Sequence, residues 1–172
     1  MLIYGERIVL RAVEAEDNAM LLSLINDPDV EMMLGGSSWP VSEAAQLKWF
    51  DQLERTKDIL RCIIATPETG EAVGTIILSE IDQKNGTGHI HIKMTKNARG
   101  RGYATDAINT LVKYAFDELR LHCIYANILV YNEASVRLFE KCHFQRDGLL
   151  RARVYKKGKY IDVFSYSRLA DE

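Results

Sequence analysis

The sequence predicts an α+β protein built on a mixed, mostly antiparallel sheet of seven strands flanked by helices. Two observations carry this prediction. Three successive β-like segments are joined by short turn sequences, which is typical of an antiparallel meander. A long amphipathic helical segment follows at once, and a strand, a shorter helix and a closing hairpin complete the chain. The 172 residues suffice for one domain over residues 1–172 with its own core.

The N-terminal third is predicted to hold one strand and three helices, over residues 7–11, 16–26, 29–34 and 42–56. Asp27-Pro28 ends the first helix and Gly35-Gly36 ends the second. Ser42 is a suitable N-cap for the third. The loop before it contains Trp39, which either covers an edge of the core or forms the wall of a pocket.

The rest of the chain is predicted to hold six strands, over residues 59–66, 72–79, 87–94, 123–129, 144–155 and 160–166. Residues 67–70 and the pair Asn85-Gly86 are turn sequences, so the first three of these strands form the meander. Apolar residues at helical spacing predict a long helix from residue 104 to about 119. Asn132 is the expected cap of a shorter helix over residues 133–141.

Composition and charge narrow the function classes. The net charge of -2 gives no reason to expect a nucleic-acid partner. Three scattered cysteines without a CxxC pair suggest neither a disulfide framework nor a metal site. The first residues lack the apolar stretch of a signal peptide, and nothing reaches the roughly 18 apolar residues of a membrane span. We therefore expect a metal-free, cytoplasmic protein without a membrane partner.

The segment Arg99-Gly100-Arg101-Gly102-Tyr103-Ala104-Thr105 has the pattern of a phosphate-binding site. Glycines let the backbone approach a bulky anion, and the first turn of the following helix presents unpaired N–H groups and the positive end of its dipole. The pattern is not a Walker loop. It is also a poor dinucleotide fingerprint, because Thr105 stands where a third small residue belongs and the preceding strand comes from a meander.

The same segment resembles the acetyl-CoA motif of the GNAT N-acetyltransferase superfamily, Q/R-x-x-G-x-G/A, with Arg99, Gly102 and Ala104 at its fixed positions. Residues 132–135 and 138–144 resemble a second family segment, N-x-x-S/A followed by Y-E-K-x-G-F. The closing hairpin is similar to the branch of ribosomal-protein (RimJ/RimL-like) and spermidine N-acetyltransferases. The resemblance covers nearly the whole chain and weakens over the first 60 residues.

The resemblance implies acetyl-CoA as co-substrate and a GNAT fold. Its pyrophosphate would lie on the backbone amides of residues 100–105, its pantetheine arm along the fourth predicted strand, and its other side against the shorter helix. The N–H near Met94 would polarise the thioester carbonyl. For Lys141 the alternative is a solvated helix end. The implied CoA-binding residues are Ile92, Lys93, Met94, Arg99, Gly100, Arg101, Gly102, Tyr103, Ala104, Thr105, Asn132, Ser135, Phe139 and Lys141.

The resemblance is weaker for the catalytic groups. Phe139 stands where many members have an acidic tyrosine, and it has no proton to donate. Some branch members use a serine and a glutamate; Ser135 matches the serine, whereas Val154 replaces the glutamate. His89 and His91 alternate on the fourth predicted strand, so they share a face and are the best candidates for the base. They could equally be ordinary polar strand residues. The reserve acids are Tyr131 and Tyr155.

The resemblance implies that the acetyl group goes to a primary amine. Candidates are a protein N-terminus, a polyamine, an amino-sugar nucleotide or another small amine. Asp27, Asp29 and Glu31 could attract a cationic amine, or they could form a solvated acidic loop. The alternative function is a catalytically weak CoA- or acyl-CoA-binding regulatory module, which Phe139 and Val154 would fit. A homodimer through the closing hairpin is compatible with either function.

Overall fold

A mixed sheet of eight strands organises the computed structural model, which describes residues 1–36, 38–53 and 58–172. The spatial order is β1-β2-β3-β4-β5-β6-β8-β7. Only β5 and β6 pair in parallel, and every other neighbouring pair is antiparallel. The strands are β1 (Ile3–Tyr4), β2 (Val9–Arg11), β3 (Leu60–Ala65), β4 (Ala72–Asp82), β5 (Thr87–Met94), β6 (Cys123–Leu129), β7 (Gln145–Lys156) and β8 (Lys159–Leu169).

The predicted meander is confirmed, because β3, β4 and β5 pair in sequence order. The predicted number of seven strands is wrong by one. Two residues, Ile3 and Tyr4, form β1 against Leu10 and Val9 of β2. Such a short strand shows no periodicity that a sequence pattern could detect.

In the described part of the chain, five α-helices flank the sheet: α1 (Asn18–Asn26), α2 (Pro28–Met32), α3 (Glu43–Phe50), α4 (Tyr103–Asp117) and α5 (Glu133–Lys141). The short α2 begins at Pro28 itself, because the Asp27 carboxylate caps it by accepting from the N–H groups of Asp29 and Val30. The α3 helix ends at Phe50, and the last residues of the predicted third helix, 54–56, lie outside the described residues.

The two faces of the sheet are packed differently. On one face, α4 and α5 cover the main core, in which Ile64, Ile76 and Ile108 are fully buried. On the other face, α1 and α3 cover a smaller cluster that includes Ile63 and Leu21. Because β-strand side chains alternate, β2 and β3 contribute to both clusters. The second face is therefore less completely covered, and the polar side chains of β5 lie there.

The start of α4 is fixed by a carboxylate. Asp106 accepts hydrogen bonds from the N–H groups of Glu6 at 3.2 Å, Arg7 at 2.7 Å and Ile8 at 3.1 Å. Gly5 is required beside it, because a Cβ on this residue would lie 2.6 Å from the Asp106 Oδ2 atom. The turn between β1 and β2 therefore fixes the helix terminus that carries the glycine-rich segment.

The strands β5 and β6 separate after a short paired region. They pair only at Thr87–Cys123, Gly88–Ile124 and His89–Tyr125, yet both strands continue for several residues. Beyond this point β5 keeps its bonds to β4, and β6 keeps its bonds to β8. The gap between residues 90–94 of β5 and residues 126–129 of β6 is called the wedge below. It exposes backbone groups of two strands inside the sheet.

Candidate active site

The glycine-rich segment forms an unpaired row of backbone donors. Gly100 and Gly102 have left-handed backbones, with φ of 74° and 82°, and Gly102 is the N-cap of α4 without a capping side chain. Within the described residues, no N–H group of residues 100–105 has a hydrogen-bond partner. With the positive end of the α4 dipole, these groups form a site suited to phosphates.

The wedge leads directly into this anion site. Ile92, Lys93 and Met94 form the end of β5 along the wedge, and a short 3₁₀ turn over Lys96–Ala98 connects them to Arg99. The Arg99 guanidinium donates to the Met94 carbonyl oxygen at 3.4 Å, which joins the two parts. A slender chain with amide groups could add to the strand edge while its charged end lies on α4. This is the chemistry of the pantetheine arm and pyrophosphate of CoA.

The α5 residues that the resemblance implies for CoA binding are spread along the length of that helix. The buried Asn132 side chain accepts from the Ser135 N–H at 3.2 Å and donates to the Met33 carbonyl at 3.1 Å. Lys141 is exposed at the opposite end of α5, about 13 Å along the helix axis from Asn132. Phe139 is only 4% exposed and packs edge-on against Phe144, with ring centroids 5.0 Å apart. The structure thus places Phe139 in the core rather than on an open surface.

The two β5 histidines lie together on the face covered by α1 and α3. Their ring centroids are 4.0 Å apart. His91 Nε2 is 2.9 Å from the Ser79 hydroxyl, and the buried His89 ring stacks on Tyr125 at 4.7 Å. His89 Nε2 is buried and has no hydrogen-bond partner among the described residues. The pair therefore lies where β5 and β6 begin to separate.

Glu80 is a member of this group that the sequence did not predict. The register of β4 against β5 shifts between Ser79 and Asp82, and Glu80 has a φ of 52°. This bulge turns its carboxylate to accept from the Tyr125 hydroxyl at 2.7 Å, while Oε1 lies 3.6 Å from His89 Nδ1. A strained residue at a strand bulge is typical of functional positions. No sequence pattern indicates the bulge, because Glu80 simply follows a predicted strand.

Burial keeps both histidines neutral at neutral pH. It lowers the pKa of His91 to about 4, with the charges of His89, Lys93 and Arg61 acting in the same direction and Glu80 opposing them. Burial also lowers the pKa of His89, against the opposing effect of Glu80. The pKa of Tyr125 rises to about 12, first through burial and then through Glu80. Each imidazole is thus able to accept a proton.

A cavity of about 160 Å³ opens on the same face, between α1, α2 and β5. Its lining is mainly apolar, from Leu24, Val30 and other residues, with Glu31 and Lys93 as its charged members. Trp39 also lines it and is 80% exposed, which favours the pocket-wall interpretation over a cover of the core. The cavity therefore lies on one face of β5, and the wedge lies along the edge of the same strand.

The acidic residues predicted to attract an amine all have lysine partners. Asp27 and Asp29 lie 3.5 and 3.0 Å from Lys96 Nζ. Glu31 forms an ion pair with Lys156, a lysine only 5% exposed, which also donates to the Glu31 carbonyl at 3.0 Å. The three carboxylates therefore hold α2 to the 3₁₀ turn and to β7 rather than standing free.

The reserve acids lie apart from the histidines. The Tyr131 hydroxyl donates to the Met32 carbonyl at 2.5 Å, and its pKa is raised by burial and then by Glu31. Tyr155 is 61% exposed and packs against Tyr160 on the closing hairpin. Val154 lies near Gly35, whose added Cβ would come within 3.3 Å of it.

Within residues 1–36, 38–53 and 58–172, no three histidine, cysteine or carboxylate side chains are grouped as metal ligands. No helix in these same ranges has the length and apolar character needed to span a membrane.

Proteins with similar sequences are N-acetyltransferases by name. The uncharacterized N-acetyltransferase p20 of Bacillus licheniformis is 33% identical over 176 residues, with 99% of this chain and 97% of the relative covered. Spermidine N(1)-acetyltransferase of Vibrio cholerae is 27% identical over 165 residues, with 92% and 91% covered.

A solved structure extends the comparison to the fold. The spermidine N-acetyltransferase from Vibrio cholerae, crystallised in complex with CoA and spermine, superimposes with a TM-score of 0.90, covering 97% of this chain and 98% of that one at 24% identity. The family model for the acetyltransferase (GNAT) domain matches residues 7–145. This range includes the anion site, both edges of the wedge and the histidine pair. The chain therefore belongs to the GNAT acetyltransferase family and is an acetyl-CoA-dependent N-acetyltransferase.

Proposed function

We propose that this enzyme binds acetyl-CoA along the wedge and transfers its acetyl group directly to a small primary amine that enters through the cavity beside α1 and α2. One observation carries the proposal. The backbone edge of β5 faces the wedge, while the side chains of His91 and Lys93 lie on the face that carries the cavity. Donor and acceptor would thus meet across one strand.

The residues suited to hold the co-substrate follow the order of its chemical parts. The amides of residues 100–105 would bind the pyrophosphate, with added charge from Arg99 and Arg101. The edge of Ile92, Lys93 and Met94 would pair with the amide groups of the pantetheine arm. When bound, acetyl-CoA supplies an acetyl group activated as a thioester. Residues 1–172 would act as one domain, because β8 lies beyond the family match and yet pairs with every residue of β6.

The transfer needs a neutral amine. An ammonium with a pKa near 10 must lose one proton before its nitrogen can form the new N–C bond. As that bond forms, the thioester C–S bond breaks, and CoA leaves as a thiol after taking up a second proton from the nitrogen. With a leaving-thiol pKa of about 8.5, by analogy with cysteine, acid assistance helps without being obligatory.

His91 and His89 are the proposed base. Both are neutral at neutral pH and lie where the two strands separate. Glu80 lies against His89 and has a mostly exposed side chain, so it can pass a proton on to solvent. The nearby positive charges of Arg61 and Lys93 disfavour the ammonium form of a bound amine, which offsets the weak basicity of His91.

Ser135, in α5, is the proposed relay that gives its hydroxyl proton to the leaving thiolate and takes up the proton that the nitrogen loses. It lies in the first turn of α5 with its N–H fixed by Asn132, and no described residue hydrogen-bonds its hydroxyl. Asn132 would thus position Ser135 beside the wedge. Phe139 would contribute only the packing beneath that helix.

The test is the release of free thiol from acetyl-CoA against a panel of amines, including peptide N-termini, polyamines and small amino compounds. We expect release with at least one amine, with one acetylated product for each thiol. Tight CoA binding without release across the whole panel would overturn the proposal and favour a regulatory CoA-binding module.

A further inference from the structure

The cavity beside β5 carries a positive charge that the protein does not neutralise. Lys93 lines the cavity, and within the described residues it has no hydrogen-bond or ion-pair partner. Arg61 lies close by on the same face, because Arg61 pairs with Ile77 and Ile77 pairs with His91 across the sheet. Its Nε atom is buried without a partner, and its guanidinium lies over the Trp49 ring at 5.0 Å.

The acidic side chains of α2 and its N-cap are already paired with lysines, and Glu80 accepts from the Tyr125 hydroxyl beside His89. Glu31 enters the cavity lining but forms its ion pair with the buried Lys156. Asp27 and Asp29 both pair with Lys96, outside the cavity. Two cations on one face without a carboxylate partner are unfavourable, since desolvation removes water that would otherwise stabilise them. Burial and then the positive charge of Arg61 lower the pKa of Lys93.

We propose that the acceptor of this enzyme carries a carboxylate as well as its amine, and that Lys93 binds this carboxylate with Arg61 reinforcing the positive field. The inference rests on the proposed function and names the substrate class for the same cavity. A bound carboxylate would supply the missing partner, and charge-assisted hydrogen bonds of this kind are among the stronger polar contacts.

The spacing along β5 suits such a molecule. Lys93 and His91 are two residues apart on one face of the strand, which places them about 6 to 7 Å apart along it. A molecule with its carboxylate on Lys93 can therefore place an amine a few bonds away near His91. The cavity of about 160 Å³ is small beside the roughly 300–1,000 Å³ of common ligand pockets, so a compact amino acid fits better than a long chain.

A polyamine is a poorer match for this cavity. All of its charges are positive, so it would meet Lys93 and Arg61 as like charges. The carboxylates that a polyamine would need are held by Lys96 and Lys156. On this basis the acceptor differs in charge from the spermine that was crystallised with the Vibrio cholerae relative.

The experiment compares matched acceptors. Thiol release from acetyl-CoA is measured with small amino acids of varied chain length, with the corresponding carboxamides, and with spermidine. We expect kcat/KM for the best amino acid to exceed that of its carboxamide by about 10- to 100-fold, the range of one charge-assisted contact. In Lys93→Met this preference should disappear through a rise in KM for the amino acid.

Two further arms complete the test. Lys93→Arg should retain most of the preference, and Lys84→Met, at an exposed turn lysine, should behave as wild type. A matched carboxylic acid without an amine should compete with the acceptor in wild type and compete less in Lys93→Met. Equal rates for acid and amide, a preference for spermidine, or equal inhibition of both proteins would overturn the carboxylate inference while leaving amine acetylation intact. No release with any amine would instead overturn the proposed function.

Discussion

At the scale of single residues, several neighbouring groups contact His91 or change its pKa. Its ring contacts His89, bonds Ser79 and responds to the charges of Lys93 and Arg61. Because its pKa lies near 4, it remains neutral throughout the physiological range. A base that is already deprotonated contributes to catalysis by its position and not by its titration.

Replacing His91 or His89 with glutamine should therefore reduce acetyl transfer. We expect kcat/KM at pH 7.5 to fall by about 100-fold in the more affected variant, the lower end of general-base contributions. Glu80→Gln should have a smaller effect, because Glu80 contacts His89 and acts through it. His122→Gln, at an exposed histidine, is the control. Wild-type rates in both His89→Gln and His91→Gln would show that neither histidine is the base.

The same histidine makes stability depend on pH. The folded-state pKa of His91 lies below its ordinary value of 6.5, so the unfolded chain takes up the proton first as the pH falls. The free energy of unfolding should thus decline between about pH 6.5 and pH 5 by about 1 to 2 kcal/mol. Urea unfolding of wild type and His91→Gln at both pH values measures this, with His122→Gln as control. A slope in His91→Gln as steep as in wild type would exclude His91 as the cause.

Residue positions were predictable only where a local pattern determines them. The shared face of His89 and His91 follows from strand alternation alone. Glu80 could not be predicted, because a bulge changes its direction. The partner of Glu31 could not be predicted either, since Lys156 lies 125 residues further along the chain. Long-range ion pairs leave no periodic trace in a sequence.

At the scale of elements, the start of α4 depends on the backbone conformation of Gly102. The left-handed φ of 82° is costly for any residue with a Cβ. Gly148 is a natural comparison, since its φ is not positive and an added Cβ would meet nothing within 4 Å. The two glycines therefore differ in backbone requirement and not in available space.

Gly102→Ala should destabilise the protein by about 1 kcal/mol or more and weaken CoA binding, because the amides of the anion site shift with the helix start. Gly148→Ala should leave both quantities within error of wild type. Urea unfolding and calorimetric titration with CoA measure the two effects. Equal effects of the two substitutions would mean that the left-handed turn has no special role in the anion site.

The sequence predicts the bounds of an element closely where capping or turn residues mark its ends. The bounds of β5, β6 and α5 agree with their predicted ranges, because Asn85-Gly86 and Asn132 mark two of the boundaries and apolar spacing marks the rest. The α2 helix begins one residue and ends two residues before its predicted range, and its start differs because Pro28 is both a stop for α1 and the first residue of α2. A proline can end one helix or begin the next, so its identity alone does not decide the helix boundary.

At the scale of the whole molecule, the parallel pairing of β5 and β6 creates the site. Sequence periodicity predicts the strands and the α4 crossover between them, but it does not show that the pairing stops after His89 and Tyr125. Where two strands separate depends on the twist of the whole sheet and on what packs on each face. The wedge is therefore a property of the assembled sheet.

Hydrogen exchange should detect the wedge directly. Alternate amides of residues 90–94 and 126–129 point away from the bonded neighbour and into the gap. We expect exchange in these segments to slow when CoA is added, because the pantetheine arm adds to the strand edge. Residues 87–89, which pair with β6, should change little. Unchanged exchange at residues 90–94 under saturating CoA would place the co-substrate elsewhere.

The wedge also bears on solubility. Unpaired strand edges can recruit strands of other molecules, and most sheets keep such edges at their margins under charges or bulges. Here two edges lie in the middle of the sheet, where twist and neighbouring strands restrict access. CoA would cover both, so the coenzyme level of a cell would govern resistance to aggregation as well as turnover. A protein of this fold purified with its coenzyme should tolerate concentration and heating better than the same protein stripped of it.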